Sequence, residues 1–149
     1  KWADAQYIVG KFYSNGYGGI KVNNAEALKW YYKAAEQGVA EAQFILGLDY
    51  KRGEGGVKKD FAKGAEWYRK AAEQGHMYAL YNLAVCYEYG EGVPKDKETA
   101  IKLYQKAAEQ GCTDAEKDVK RLEGGGLGSA VAASAALGGA ALLWKILRG

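Results

Sequence analysis

Five residues, Ala34-Ala35-Glu36-Gln37-Gly38, return unchanged as Ala71 to Gly75 and again as Ala107 to Gly111. A chain that copies itself at a fixed interval folds as an array of equivalent units, each resting on its neighbours. Gly38 to Gly75 spans 37 residues and Gly75 to Gly111 spans 36, a length that two short helices and their turns fill. The same register aligns Ala5, Ala42 and Ala79, then Tyr13, Tyr50 and Tyr87, then Gly16, Gly53 and Gly90. The one-residue difference falls in the glycine turns, where Gly53-Glu54-Gly55-Gly56-Val57 is one longer than Gly90-Glu91-Gly92-Val93. Length variation is cheapest in a surface turn.

Apolar spacing within each unit is helical: Ala42, Ile45, Leu46 and Tyr50 share one face, and Ala65, Tyr68 and Ala72 share another. Two helices per unit follow, a first (A) and a second (B). The pattern predicts A helices over Asp4–Ser14, Ala40–Lys51, Met77–Tyr89 and Thr113–Leu122, and B helices over Asn24–Gln37, Asp60–Gln74 and Asp96–Gln110. Asn24, Asp60 and Asp96 are the expected N-caps. Gly38, Gly75 and Gly111 stop each B helix, since glycine enters the left-handed region without a Cβ penalty.

Composition narrows the function classes. The formal charge is +3, but Lys145 and Arg148 supply two of those charges, and the body carries 19 basic against 18 acidic residues, interleaved throughout. Nucleic acid selects for clustered basic residues, so it is excluded as the expected partner. Two cysteines, Cys86 and Cys112, stand at unrelated repeat positions and read as free thiols rather than a disulfide framework. The chain opens on Lys1, and helical pattern from Trp2 to Tyr13 has no cap before it, which gives the expectation of a processed or truncated start.

The pattern Ala-x-x-x-Leu-Gly-x-x-Tyr, Gly-x-Gly-Val, Asp and Trp-Tyr-x-Lys-Ala-Ala-Glu-Gln-Gly resembles the Sel-one-like repeat (SLR), a relative of the tetratricopeptide repeat. It is matched by Ala42–Tyr50, Gly53–Val57, Asp60 and Trp67–Gly75. Residues 3–123 hold three copies and the first helix of a fourth; Ala84 replaces the helix A glycine, Leu103 the tryptophan, and Asn23 or Asn24 the aspartate. The resemblance implies an all-α, right-handed α-solenoid of antiparallel helix pairs that binds other proteins as an adaptor or assembly scaffold, without cofactor or chemistry of its own. It also implies that the A helices line a concave groove. Transferring that register places Tyr7, Lys11 and Ser14 there from the first unit, Glu41, Phe44, Leu48 and Lys51 from the second, and Tyr78, Tyr81, Val85 and Glu88 from the third. Tyr7, Phe44 and Tyr81 would anchor a partner segment, because rings bury large area at small entropy cost, or else pack between adjacent A helices. Lys11 and Lys51 would read acids on the partner.

After residue 123 the pattern ends. Gly124-Gly125-Gly126 reads as a hinge, and Leu127 to Trp144 carries no charge. As a helix the uncharged stretch would span roughly 30 Å, the thickness of a bilayer core. Residues 127–149 are therefore expected to form a hydrophobic helix anchoring the protein to a membrane complex, with Leu127, Val131, Leu137, Leu142 and Leu143 toward lipid or neighbouring helices and Trp144, Lys145 and Arg148 at the interface. An organelle membrane or a bacterial envelope would suit it. The alternative is a soluble adaptor whose tail caps the solenoid or docks on a partner.

Catalytic candidates are few. A residue repeated in every unit is explained by packing or turning, so Lys33/Glu36, Lys70/Glu73 and Lys106/Glu109 read as surface pairs. The glycine turns lack the Gly-Lys-Ser/Thr ending of a phosphate loop and follow no strand. His76, the one histidine, reads as a solvated loop residue; Cys86 reads as a small packed hydrophobe. No metal, cofactor or nucleophile site is expected.

Overall fold

The computed structural model describes residues 1–124. Among them the chain forms seven α-helices and a short 3-10 turn: α1 Trp2–Asn15, the turn Tyr17–Gly19, α2 Asn24–Glu36, α3 Ala40–Arg52, α4 Phe61–Glu73, α5 Met77–Tyr89, α6 Lys97–Glu109 and α7 Thr113–Gly124. Odd-numbered helices are the A helices and α2, α4 and α6 the B helices. Each packs on the next in the chain, which is the arrangement of an α-solenoid, and the described residues contain no strand.

Short polar devices set the helix ends. Asp60 and Asp96 cap α4 and α6, their carboxylates accepting from the amides of Lys63 (3.1 Å) and Thr99 (3.2 Å). In the first unit the cap is Asn23, not Asn24: its side chain accepts from the amide of Glu26 at 3.1 Å, and Asn24 is already helical. Such a cap contributes about 1 kcal/mol.

Helices A and B of one unit approach through glycine. A Cβ at Gly47 would lie 2.5 Å from the Tyr68 ring, and one at Gly10 would lie 2.8 Å from Tyr31. The tyrosines that fill this seam, Tyr31, Tyr68 and Tyr104, are all buried. Ala84 occupies the same position in the third unit, where Tyr104 leans instead toward Tyr81, with ring centroids 5.3 Å apart. Alanines at Ala34/Ala35, Ala71 and Ala107 complete the core, which explains why the Ala-Ala word recurs: only small side chains fit where a B helix lies between two A helices.

The glutamine of that word does more than end a helix. Gln74 donates to the side chain of Gln43 at 2.9 Å, and Gln43 in turn donates to the Ala35 carbonyl at 3.0 Å. Gln37 makes the equivalent bond to Gln6. In the third unit Leu80 stands at the Gln43 position, and Gln110 turns to the Gly75 carbonyl at 2.7 Å. A polar ladder thus ties the end of a B helix to the A helix of its own unit and, through Gln43 and Gln110, to the end of the unit before.

The last described helix, α7, packs on α6. Its inner face carries Ala115, Asp118, Val119 and Leu122, and its outer face exposes Glu116, Lys117, Lys120 and Glu123. Asp118 is 1 % exposed and belongs to an ionic cluster. Arg121 Nη1 and Nη2 reach the Glu88 carboxylate at 2.6 and 2.8 Å. The same Nη2 and Nε reach Asp118 Oδ1 at 2.9 and 3.2 Å. Tyr81 donates to Asp118 and Tyr104 to Glu88, both at 2.7 Å. Burial raises the Asp118 carboxyl above the usual range, against the pull of Tyr81 and Arg121. Bonds to Glu88 and Asp118 hold the guanidinium fully protonated.

Gly124 is the last residue of α7, one position into the expected hinge. Among the described residues no helix is long and apolar enough to cross a membrane. The expected anchor, residues 127–149, lies outside the described residues.

Candidate binding groove

A cleft of about 250 Å³ opens on the A-helix side between α1 and α3, walled by Tyr7, Lys11, Ser14, Asn15, Glu41, Phe44, Ile45 and Leu48, with Tyr31 from α2 and His76 from the start of α5. The Tyr7 ring, half-buried, leans on Tyr31 with centroids 6.0 Å apart, and the Lys11 ammonium sits 5.7 Å above it. Burial, with Glu41 nearby, raises the Tyr7 hydroxyl above its ordinary pKa, so the ring enters the cleft neutral.

An aromatic cluster makes the opposite wall. Phe44 stacks on His76 at 4.9 Å and meets Tyr68 at 5.9 Å and Tyr78 at 6.2 Å. His76 is not a solvated loop residue: its Nδ1 accepts the Ala79 amide at 3.2 Å, capping α5, while its ring is half-buried against Phe44. Burial lowers its pKa, with Glu41 pulling the other way. That role was missed because the equivalent positions hold Val39, which has no side-chain acceptor, and Cys112, whose sulfur is only a weak acceptor for the Ala115 amide.

Of the residues assigned to the groove by register, the cleft gathers Tyr7, Lys11, Ser14, Glu41, Phe44 and Leu48. Phe44 and Leu48 are nonetheless deeply buried, so they form its floor. Lys51 is half-buried and paired with Glu91 at 3.7 Å. Tyr78 backs the aromatic wall, and Val85 packs in the apolar cluster shared by α5, α6 and α7. Tyr81 and Glu88 lie beneath α7, bonded to Asp118 and Arg121. The register is uniform, but each A helix is covered by the one after it, and α7 covers the third-unit residues most fully.

Cys86 is a core residue whose thiol burial pushes up to about 11, and neither Cys86 nor Cys112 is in a disulfide. The repeated lysines Lys33 and Lys70 lie over the Trp30 and Trp67 rings at 4.5 and 4.3 Å, cation–π contacts at the outer B face. Among the described residues no cluster of three His, Cys, Asp or Glu could hold a metal ion.

Stacked helix pairs with a cleft on the A side define a tetratricopeptide-like repeat protein. Matches to the Sel1 repeat cover residues 3–39, 40–76 and 78–112, and the chain belongs to the Sel1 repeat family. Among solved structures, a Sel1 repeat protein from Oxalobacter formigenes is 41% identical, with a TM-score of 0.75 over 79% of this chain and 87% of that one. The protective antigen c5321 of uropathogenic Escherichia coli, which displays an SLR fold, is 39% identical with a TM-score of 0.74 over 82% of this chain, which spans only 26% of that antigen. Helicobacter pylori cysteine rich protein B is 26% identical, TM-score 0.64, over 76% of this chain and 86% of that one. A comparison with curated protein sequences gives no match. Arrays of this repeat serve protein–protein interaction and are typically non-enzymatic.

Proposed function

We propose that the protein is an interaction scaffold whose α1–α3 cleft holds one bulky apolar side chain of a partner segment, with an acidic neighbour placed at Lys11. The observation that carries this is the cleft itself: its volume of about 250 Å³ lies below the roughly 300–1,000 Å³ of small-molecule sites and suits a single anchoring side chain. An apolar floor of Phe44 and Leu48 under a polar rim of Lys11, Ser14, Asn15 and Glu41 follows the common plan of a dry centre and wet edge. Lys11 faces the cleft while Lys51 is engaged by Glu91, so acid recognition rests on the first unit.

Selection from a random peptide library tests the reading. Enriched peptides should carry an aromatic or branched anchor beside Asp or Glu, and their affinity should fall at least about tenfold in Tyr7→Ala and Lys11→Glu, whose melting stays near the parent's. Peptides that bind both variants unchanged would place recognition elsewhere.

The uncharged run Leu127 to Trp144, followed by Lys145 and Arg148, supports a further reading: this scaffold is tethered to a membrane, with the solenoid in the aqueous phase. Full-length protein that stays soluble in alkaline carbonate without detergent would refute the tether.

A further inference from the structure

The α1–α3 cleft is lined by two opposite charges that do not pair with each other. Lys11 and Glu41 both face it, yet among the described residues neither belongs to an ion pair. Repeat register accounts for their separation. Leu48 of α3 holds the position of Lys11 in α1, and Glu41 precedes Leu48 by seven residues, about 10 Å of helix rise. Phe44 and Leu48, the buried floor, fill the interval. Nor is the acidic end neutralised by the ring beside it. His76 spends Nδ1 on the Ala79 amide, so the neutral imidazole carries its proton on Nε2 and offers Glu41 no charge. Burial, which lowers the pKa of that ring, keeps it neutral at neutral pH. Across an adjoining hollow Asp4, at the Glu41 position of α1, holds the terminal ammonium of Lys1 at 3.8 Å.

On the basis of the groove proposed above, we infer that its occupant is a dipolar extended segment of a partner protein, with a Lys or Arg against Glu41, the apolar anchor on Phe44 and Leu48, and the acid at Lys11. An extended chain advances about 3.3 Å per residue, so three residues cover the roughly 10 Å between the two charge levels. The anchor then stands next to the acid, and the cation lies three residues from the acid on the anchor's far side, an order that holds for either chain direction. A segment charged alike at both places would meet one like charge and be rejected. Two lone charges at opposite ends of one apolar floor thus set the register of the segment between them.

The test is selection from a random peptide library on the full chain and on two charge variants, Glu41→Lys and Glu66→Lys, the second altering an exposed residue of α4. On the parent, peptides with an anchor beside Asp or Glu should carry Lys or Arg three residues from that acid, and alanine in place of the cation should weaken binding about threefold, the scale of an exposed ion pair. On Glu41→Lys that position should turn to Asp or Glu while anchor and acid persist, and Glu66→Lys should select as the parent does. Melting followed by circular dichroism checks that the variants fold. Should Glu41→Lys melt lower, Glu41→Gln removes the charge at nearly constant size, and the cation preference should disappear. Enrichment of anchor and acid without the cation, or a cation preference that survives both Glu41 variants, would overturn the inference and leave the groove standing. Absence of anchor and acid on the parent would refute the groove, and the inference with it. A His76 imidazole signal that shifts with protein concentration in the absence of peptide would make the occupant a second copy of this chain, which also overturns it.

Discussion

Arg121→Ala removes the one cation from a cluster of two carboxylates and two phenols. Glu88 and Asp118, 8 % and 1 % exposed, would keep the hydroxyls of Tyr104 and Tyr81, with Tyr89 also beside Glu88, but no cation. Four close contacts between the guanidinium and the carboxylates, from 2.6 to 3.2 Å, vanish. Deleting one partner of a buried ion pair costs about 3–5 kcal/mol, mostly as the penalty on the charges left behind. Against a total of about 5–15 kcal/mol, that is enough to free α7 and to lower the melting temperature by about 10–20 °C. Burial already raises the Asp118 carboxyl, and removing the guanidinium raises it further. A carboxyl whose folded pKa exceeds its unfolded value contributes stability at low pH and loses it as pH rises through the folded value. The difference between variant and parent should therefore shrink by about 1 kcal/mol or more between about pH 7 and about pH 4.5. Urea denaturation followed by circular dichroism measures the total, and amide exchange in α7 locates it. A loss below about 1 kcal/mol at neutral pH, or one indifferent to pH, would refute the reasoning. Glu116→Ala, on the outer face of the same helix, should stay within about 0.5 kcal/mol of the parent.

Gly47→Ala forces a methyl into the Tyr68 ring and should cost about 1–3 kcal/mol by overpacking, read as a lower denaturation midpoint. Phe44→Ala opens a hole among Tyr68, His76 and Tyr78 and should cost about 3–5 kcal/mol; an unchanged midpoint would mark the ring as a surface residue. His76 titrates with a lowered folded pKa, so its contribution is present above its unfolded value near 6.5 and is lost as pH falls toward the folded one. Protonated Nδ1 cannot accept the Ala79 amide, and that cap, worth about 1 kcal/mol, should be lost on acidification. His76→Asn keeps an acceptor without titrating and should flatten the effect, with the single imidazole signal giving the pKa by NMR.

Helix order and count were legible because repetition is its own alignment: three copies of Ala-Ala-Glu-Gln-Gly locate every B helix end to within a residue. Cap choice at Asn23 against Asn24 was not, since two adjacent asparagines offer the same chemistry and only the backbone entering α2 decides. The cleft was partly legible. Residues such as Tyr7 and Lys11 follow from A-helix register, but register cannot say which groove positions the next A helix covers, and Tyr81 and Glu88 pass from groove to core for that reason. The Glu88–Arg121–Asp118 cluster had no repeat signal at all: Glu88 occurs where Ser14 and Lys51 stand, and contacts made once per molecule leave no periodic trace. His76 hides similarly, a cap acceptor among positions filled by valine and cysteine.

That ionic cluster has a consequence for how such a chain changes length. Its members belong to α5, α6 and α7 alone, so duplicating or losing the unit made of α3 and α4 would leave every bond of the lock in place. Inserting a unit between α6 and α7 would instead part Arg121 from Glu88 and strand both charges in an apolar seam. A change in the number of units before α5 is then compatible with the lock, whereas one between α6 and α7 breaks it, so five side chains fix which helices must stay neighbours.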